Sequence, residues 1–114
     1  MIKLALGAAT VVFTTREGGV SPAPFDSLNL GANTEDEPQN VADNRNIVCA
    51  RLDLRELYWQ RQVHGTELHR YRSTSAAGSV DADAIIGSER GVGLTITTAD
   101  CFPVAMASDV EVAV

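Results

Sequence analysis

Leu57-Tyr58-Trp59-Gln60-Arg61-Gln62-Val63-His64-Gly65 is the stretch on which the fold turns. Its side chains read with a period of two, rich in aromatic and branched residues, which is the signature of a strand and not of a helix. The strand is expected to stop at His64-Gly65, and Glu67 to Tyr71 is expected to pair back against it. Working upstream, Ala9 to Thr15 is rich in β-branched residues and ends at Gly18-Gly19, a second strand followed by a turn that needs positive φ. From Val20 to Gly31 the chain carries Pro22, Pro24, Asp26, Ser27, Asn29 and Gly31, the chemistry of an ordered surface loop.

One helix follows that loop. Asp36 or Thr34 can cap it, Pro38 suits its first turn, and Val41, Val48 and Leu52 form an apolar stripe with Asn44 or Arg45 on the intervening turn. Arg51 and Arg55 are placed in its last turn, at the negative end of the helix dipole. Downstream of the central strand, Ala76 to Asp83 reads as turn. Ala84-Ile85-Ile86 and Gly93 to Thr98 read as strands, the second delivering Ala99-Asp100-Cys101 at its tip. Phe102 to Ala107 and Val110 to Val114 read as two more about a Ser108-Asp109 turn. Strand character that runs to the last residue leads us to expect part of a larger domain. The fold class is α+β: a mixed β-sheet or β-sandwich with covering helices, at least one, forming a partial domain.

Composition narrows the function. The chain has 114 residues, 45% hydrophobic and 21% charged, which places it among globular proteins. Its 15 acidic residues outnumber nine basic ones, and no basic stripe could follow a phosphate backbone, so nucleic acid is not an expected partner. The apolar start lacks a signal-peptide pattern and no run reaches transmembrane length, so no membrane partner is expected. Cys49 and Cys101 sit outside any disulfide framework, which points to free thiols and a cytoplasmic location.

Among residues able to do chemistry, Cys101 follows an apolar strand and two polar residues, Thr98 and Asp100. That position suits a ligand or nucleophile, although a lone cysteine is commonly a small buried hydrophobe. His64 can offer a neutral nitrogen to a metal beside the permissive Gly65, or be an ordinary histidine held by a carbonyl. Their separation in sequence is not that of a zinc finger. His69 falls on the opposite face of a strand from His64 and reads as a solvated strand residue, and Cys49 reads as helix packing. Arg16, Asn29 and Arg45 are candidates for an anionic or hydroxyl-rich substrate, since a guanidinium matches phosphate and an amide reads a hydroxyl or base edge.

Six strings, taken in order, carry a resemblance: Phe13-Thr14-Thr15-Arg16-Glu17-Gly18-Gly19-Val20-Ser21, Phe25-Asp26-Ser27-Leu28-Asn29-Leu30-Gly31, Asn44-Arg45, Gln62-Val63-His64-Gly65, Asp81-Ala82-Asp83-Ala84 and Thr97-Thr98-Ala99-Asp100-Cys101-Phe102-Pro103-Val104. Together they resemble the YfiH-like, laccase-domain family of purine nucleoside phosphorylases. The resemblance implies a zinc-dependent phosphorylase of inosine, adenosine, guanosine or methylthioadenosine, with adenosine deaminase activity. It implies catalytic zinc held by His64, Cys101 and a second histidine in a His-Ala-Gly-Trp-Arg-Gly string that these residues do not include. It therefore implies that residues 1–114 are the N-terminal portion of one domain, ending before the third ligand. The partners implied are a purine nucleoside, phosphate and the C-terminal half of the same protein. Asn29 and Arg45 lie in matched strings and are taken as substrate contacts.

In such a site Cys101 binds as thiolate and His64 as neutral imidazole. The zinc either acidifies a bound water or polarises phosphate and ribose, and Asp100 is a candidate proton shuttle or orienter. Phe102 and Ala105-Met106-Ala107-Ser108 depart from the family pattern, which bears on pocket size. Three other readings stay open. One is a Cys/His thiol hydrolase with Cys101 as nucleophile and His64 as base. Another is a copper-dependent polyphenol oxidase (laccase), which a single His/Cys pair supports poorly. The third is a non-catalytic module: alone, two ligands bind zinc weakly and turn over no nucleoside.

Overall fold

Pro38 to Leu52 forms α1, the one helix among the described residues of a computed structural model that covers 1–75 and 78–114. Pro38 starts it because its fixed φ fits a first turn that lacks N–H partners anyway. The N-cap is Glu37, in extended conformation and without a side-chain cap. Asp36 works one residue earlier than expected: its Oδ1 accepts from the Glu37 N–H at 2.9 Å and from Asn40 Nδ2 at 3.0 Å. The helix stops at Leu52 because Asp53 turns left-handed with φ 54°, a conformation that Asp tolerates better than most. Arg55 therefore lies beyond the helix, contrary to the expectation for its last turn, and pairs with Glu89 at 3.3 Å.

The central strand forms over Glu56–Arg61 (β3 below), ending two residues earlier than expected, at Arg61 and not at Val63. Before it, Ile2–Leu6 (β1) and Ala9–Phe13 (β2) make an antiparallel hairpin about Gly7, whose φ is 58°. The first of these strands was not anticipated, and the second ends two residues earlier than expected. Glu56–Arg61 (β3), Ser79–Asp81 (β5) and Val92–Thr95 (β7) form a parallel sheet in the order β5-β3-β7. Leu68–Arg70 (β4), Ala84–Gly87 (β6), Met106–Ala107 (β8) and Val112–Ala113 (β9) form a mixed sheet in the order β4-β6-β9-β8. The mixed-sheet expectation with a covering helix is thus met.

Several local expectations are corrected. Leu68–Arg70 does not pair back on β3. It runs parallel to β6 in the other sheet, because its half-buried His69 packs against Tyr58 across the gap between the sheets. Part of the stretch expected to be turn, Ser79–Asp81, is a strand alongside β3, while Ala76 and Ala77 lie outside the described residues. The strand leading to Cys101 ends at Thr95, and only Met106–Ala107 of the Phe102–Ala107 segment is strand. The β8–β9 hairpin about Ser108-Asp109 is as expected, closed by the Ser108 N–H donating to the Glu111 carbonyl at 2.8 Å.

Alternation along β3 explains the layers. Tyr58 faces the second sheet, where it packs with Tyr71 and Ile85, backed by Val80, Val92 and Leu94. Trp59 faces the other way, toward α1, where the Arg45 guanidinium lies 4.0 Å from its ring centroid. A strand covered on both faces carries consecutive buried residues, as parallel strands do. Tyr58 and Tyr71 meet edge-on at 4.7 Å, and each fully buried core side chain contributes about 1.5–3 kcal/mol.

The loop between β2 and α1 is ordered by a polar centre. Asn44, 0% exposed on the inner face of α1, accepts from the Val20 N–H at 2.8 Å and donates to Ser21 Oγ at 2.8 Å and the Asn29 carbonyl at 2.9 Å. Ser21 Oγ in turn donates to Asp36 Oδ2 at 2.6 Å. Gly18 has the expected positive φ, 92°, whereas Gly19 is needed for closeness: a Cβ there would stand 2.3 Å from both Asn44 Oδ1 and the Ser27 carbonyl oxygen. Gly19→Ala is expected to lower stability by about 1–3 kcal/mol, read from urea unfolding.

Burial alone would push the Asp36 carboxyl up, but donors from Asn40, Ser21, Asn29 and the Glu37 N–H together hold it below its ordinary 3.8. A carboxyl held low stabilises the fold fully above that ordinary value, and the contribution is lost as pH falls through the lowered one. The loop from Val20 to Asp36 is therefore expected to loosen below about pH 4, the ordinary carboxylate range. Amide exchange at Val20 and Glu37 measures this, and Asp36→Asn removes the pH dependence.

Candidate functional site

The end of β3 sets the first candidate ligand. After Arg61, itself paired with Asp81 at 2.6 Å, the chain turns through His64 in a left-handed conformation with φ 58°. The turn is held by Asp83, which lies between β5 and β6. Its Oδ1 accepts from the Val63 and His64 N–H groups at 3.2 and 2.8 Å, and its Oδ2 accepts from Gly65 at 2.9 Å. Burial pushes the Asp83 carboxyl up, but the N–H donors of Gly65, His64, Val63 and Glu67 outweigh it and leave the carboxyl below its ordinary value. The His64 residue is exposed at the rim of this turn.

Cys101 arrives from the segment past β7 and is an exposed free thiol. It lines a concavity of about 240 Å³ whose other walls include Gln60, Asp83, Thr98, Phe102 and Val114. Asp83 is therefore shared: it borders the Cys101 groove and holds the His64 turn, although His64 is not itself in the lining. Gln60 lines this wall, and its Oε1 is buried with no hydrogen-bond partner among the described residues. Phe102, 96% exposed, offers an uncovered aromatic face beside the thiol.

The donor chemistry suits a borderline metal, a thiol and an imidazole both reachable from solvent. Among the described residues, however, no three His, Cys, Asp or Glu side chains converge to hold a cation.

The remaining candidates are engaged inside the fold. Asn29 donates from Nδ2 to Thr34 Oγ1 at 2.9 Å and to Asp36 Oδ2 at 3.0 Å, and accepts from the Gly31 N–H at 3.1 Å. Arg45 donates from Nε and Nη2 to the Leu30 carbonyl at 3.1 and 2.8 Å. Arg16 donates to the Asp26 and Pro24 carbonyls at 2.6 and 3.1 Å. His69 is not the solvated residue expected: it is half-buried, stacked on Tyr58 at 5.7 Å between centroids, with Nε2 3.2 Å from the tyrosine oxygen. Cys49 is half-buried on α1, where burial pushes its thiol up, as expected for packing. Sequence reasoning passed over Asp83 and Gln60. Asp83 sits in one of the six strings without an assigned role, and nothing in a lone glutamine of a strand marks an unpaired acceptor.

The family model described as multi-copper polyphenol oxidoreductase laccase matches residues 10–114. The chain belongs to that family. Within it, a protein of Pseudomonas aeruginosa named purine nucleoside phosphorylase is 47% identical over 90 residues, 79% of this chain and 36% of that protein. The protein of Shigella flexneri named purine nucleoside phosphorylase YfiH is 41% identical over 92 residues, 80% of this chain and 37% of its own length. A crystal structure of a Neisseria meningitidis protein of the DUF152 family superposes with TM-score 0.77 at 36% identity, covering 88% of this chain and 41% of that one. The chain thus spans well under half the length of the family members it matches. No helix among the described residues is long and apolar enough to cross a membrane.

Proposed function

We propose that the complete gene product is a zinc-dependent purine nucleoside phosphorylase and that His64 and Cys101 are two of its metal ligands. The observation that carries this reading is the groove at the strand ends. An exposed thiol borders it, and the turn bearing an exposed imidazole is pinned from its wall by Asp83. The names of the relatives give the substrate class, a purine nucleoside and phosphate. When bound, zinc supplies Lewis-acid polarisation and an acidified water, which serves phosphorolysis and also deamination of adenosine.

The chain's own residues bind and orient. The Phe102 ring offers a face on which a purine can stack. Asn29 and Arg45 contribute to the substrate side through the loop they brace, with Arg45 placed between the Leu30 carbonyl and Trp59. The third donor comes from outside these 114 residues, so the chain by itself is expected to bind zinc weakly and to lack turnover. Its free thiols suit a reducing cytoplasm.

Inosine with phosphate and inosine without phosphate form the decisive assay pair. The complete gene product should release free base and sugar phosphate only when phosphate is present, and chelation should abolish this. Turnover that survives full zinc removal would favour the Cys/His thiol hydrolase instead. Stoichiometric copper with oxygen uptake on phenols would favour the oxidase that the family description names.

A further inference from the structure

We infer that Asp83 is the positioning residue of this site, clamping the backbone around His64 so that the imidazole leaves the chain in one fixed direction. The inference rests on the reading of His64 as a metal ligand.

His64 carries a Cβ, yet stands at φ 58°, a region that such residues seldom occupy unless their surroundings impose it. The surroundings here are one carboxylate. Its two oxygens take three successive N–H groups, those of Val63, His64 and Gly65, at 3.2, 2.8 and 2.9 Å. Charge-assisted bonds to three consecutive donors outweigh the extended alternative, in which those donors would face water separately.

Asp83 is itself held from both sheets. The Ala82 N–H donates to the Arg61 carbonyl on β3 at 3.3 Å, and the Asp83 N–H donates to the Glu67 carbonyl just before β4 at 2.9 Å. Ala82 is fully buried. The carboxylate therefore sits on a rigid bridge between the two sheets and also borders the groove that Cys101 lines. A side chain that fixes one candidate ligand from the wall of the other's groove sets their relative placement, which a metal demands within tight limits. Asp83 acts through His64, by holding the backbone that carries it.

The test uses backbone NMR of the zinc-free complete gene product and of its Asp83→Asn and Asp83→Ala variants, followed by titration with zinc chloride. In the parent chain the His64 coupling should report positive φ, and the Val63, His64 and Gly65 amides should exchange slowly. Asp83→Ala should lose both signatures, and zinc should then perturb the His64 imidazole with affinity about 10-fold or more weaker. Asp83→Asn keeps one acceptor and should fall between. Unshifted Tyr58 and Ile85 amides show that each variant is folded, and Asp83→Asn serves if Asp83→Ala is not. A left-handed, protected His64 in the folded variants, or an imidazole that meets zinc equally well without Asp83, overturns the inference. An imidazole in the parent chain that ignores zinc while the clamp signatures are present overturns it through the ligand reading, a result distinct from loss of the clamp.

Discussion

Cys101→Ser in the complete gene product should remove bound zinc and lower kcat/KM for inosine by about 10³-fold or more, which is roughly 4 kcal/mol of transition-state stabilisation. A hydroxyl is a poor substitute for a thiolate as a zinc ligand, and two remaining donors do not close a site. Because Cys101 is exposed and packs nothing away from water, the melting temperature should hardly move in the metal-free state. His64→Ala should behave alike, while Cys49→Ser, half-buried on α1, should retain both metal and turnover. Metal content by elemental analysis and steady-state kinetics check this together. A serine variant with full zinc and unchanged kcat/KM would remove Cys101 from the mechanism.

Asn44→Ala carries a large stability cost. The substitution leaves the Val20 N–H, Ser21 Oγ and the Asn29 carbonyl without their buried partner and opens a hole in a residue that is 0% exposed. Loss of this network should cost about 2–4 kcal/mol. Each kcal/mol lowers the melting temperature of a domain this small by about 4–8 °C. Asn44→Leu, which fills the space but offers no polar partner, should do no better, since the unsatisfied groups dominate. A loss below about 0.5 kcal/mol, the range of ordinary surface changes, would show that water replaces the amide without penalty.

What was legible in the sequence follows the reach of each signal. The helix and the central strand were readable because Pro38, the Val41 and Val48 spacing and the aromatic run at Tyr58-Trp59 are local signals. Strand partners were not, since pairing depends on contacts distant in sequence. Glu67 to Tyr71 looked like the return arm of a hairpin, and only the packing of His69 and Tyr71 onto Tyr58 assigns it to the other sheet. Ser79–Asp81 was hidden by its brevity, and Ile2–Leu6 by its position in a hairpin whose outer strand is exposed throughout.

The site shows the same division. His64 and Cys101 could be named as candidates from residue type and family strings, because ligand chemistry is a property of the side chain. What holds them could not. Asp83 owes its role to a turn nearly twenty residues earlier in the chain, and Asn44 could be placed on the helix stripe but not assigned its partners, which come from the loop from Val20 to Asn29. Asn29 and Arg45 had suitable chemistry, and the geometry shows how much of it the loop itself uses.

X-ray absorption at the zinc edge of the metal-loaded complete gene product tests the central claim most directly. The account predicts one sulfur neighbour at about 2.3 Å with nitrogen or oxygen neighbours at about 2.0–2.1 Å, the sulfur vanishing in Cys101→Ser and one imidazole in His64→Ala. A zinc shell of oxygen and nitrogen alone, unchanged by either substitution, would contradict it.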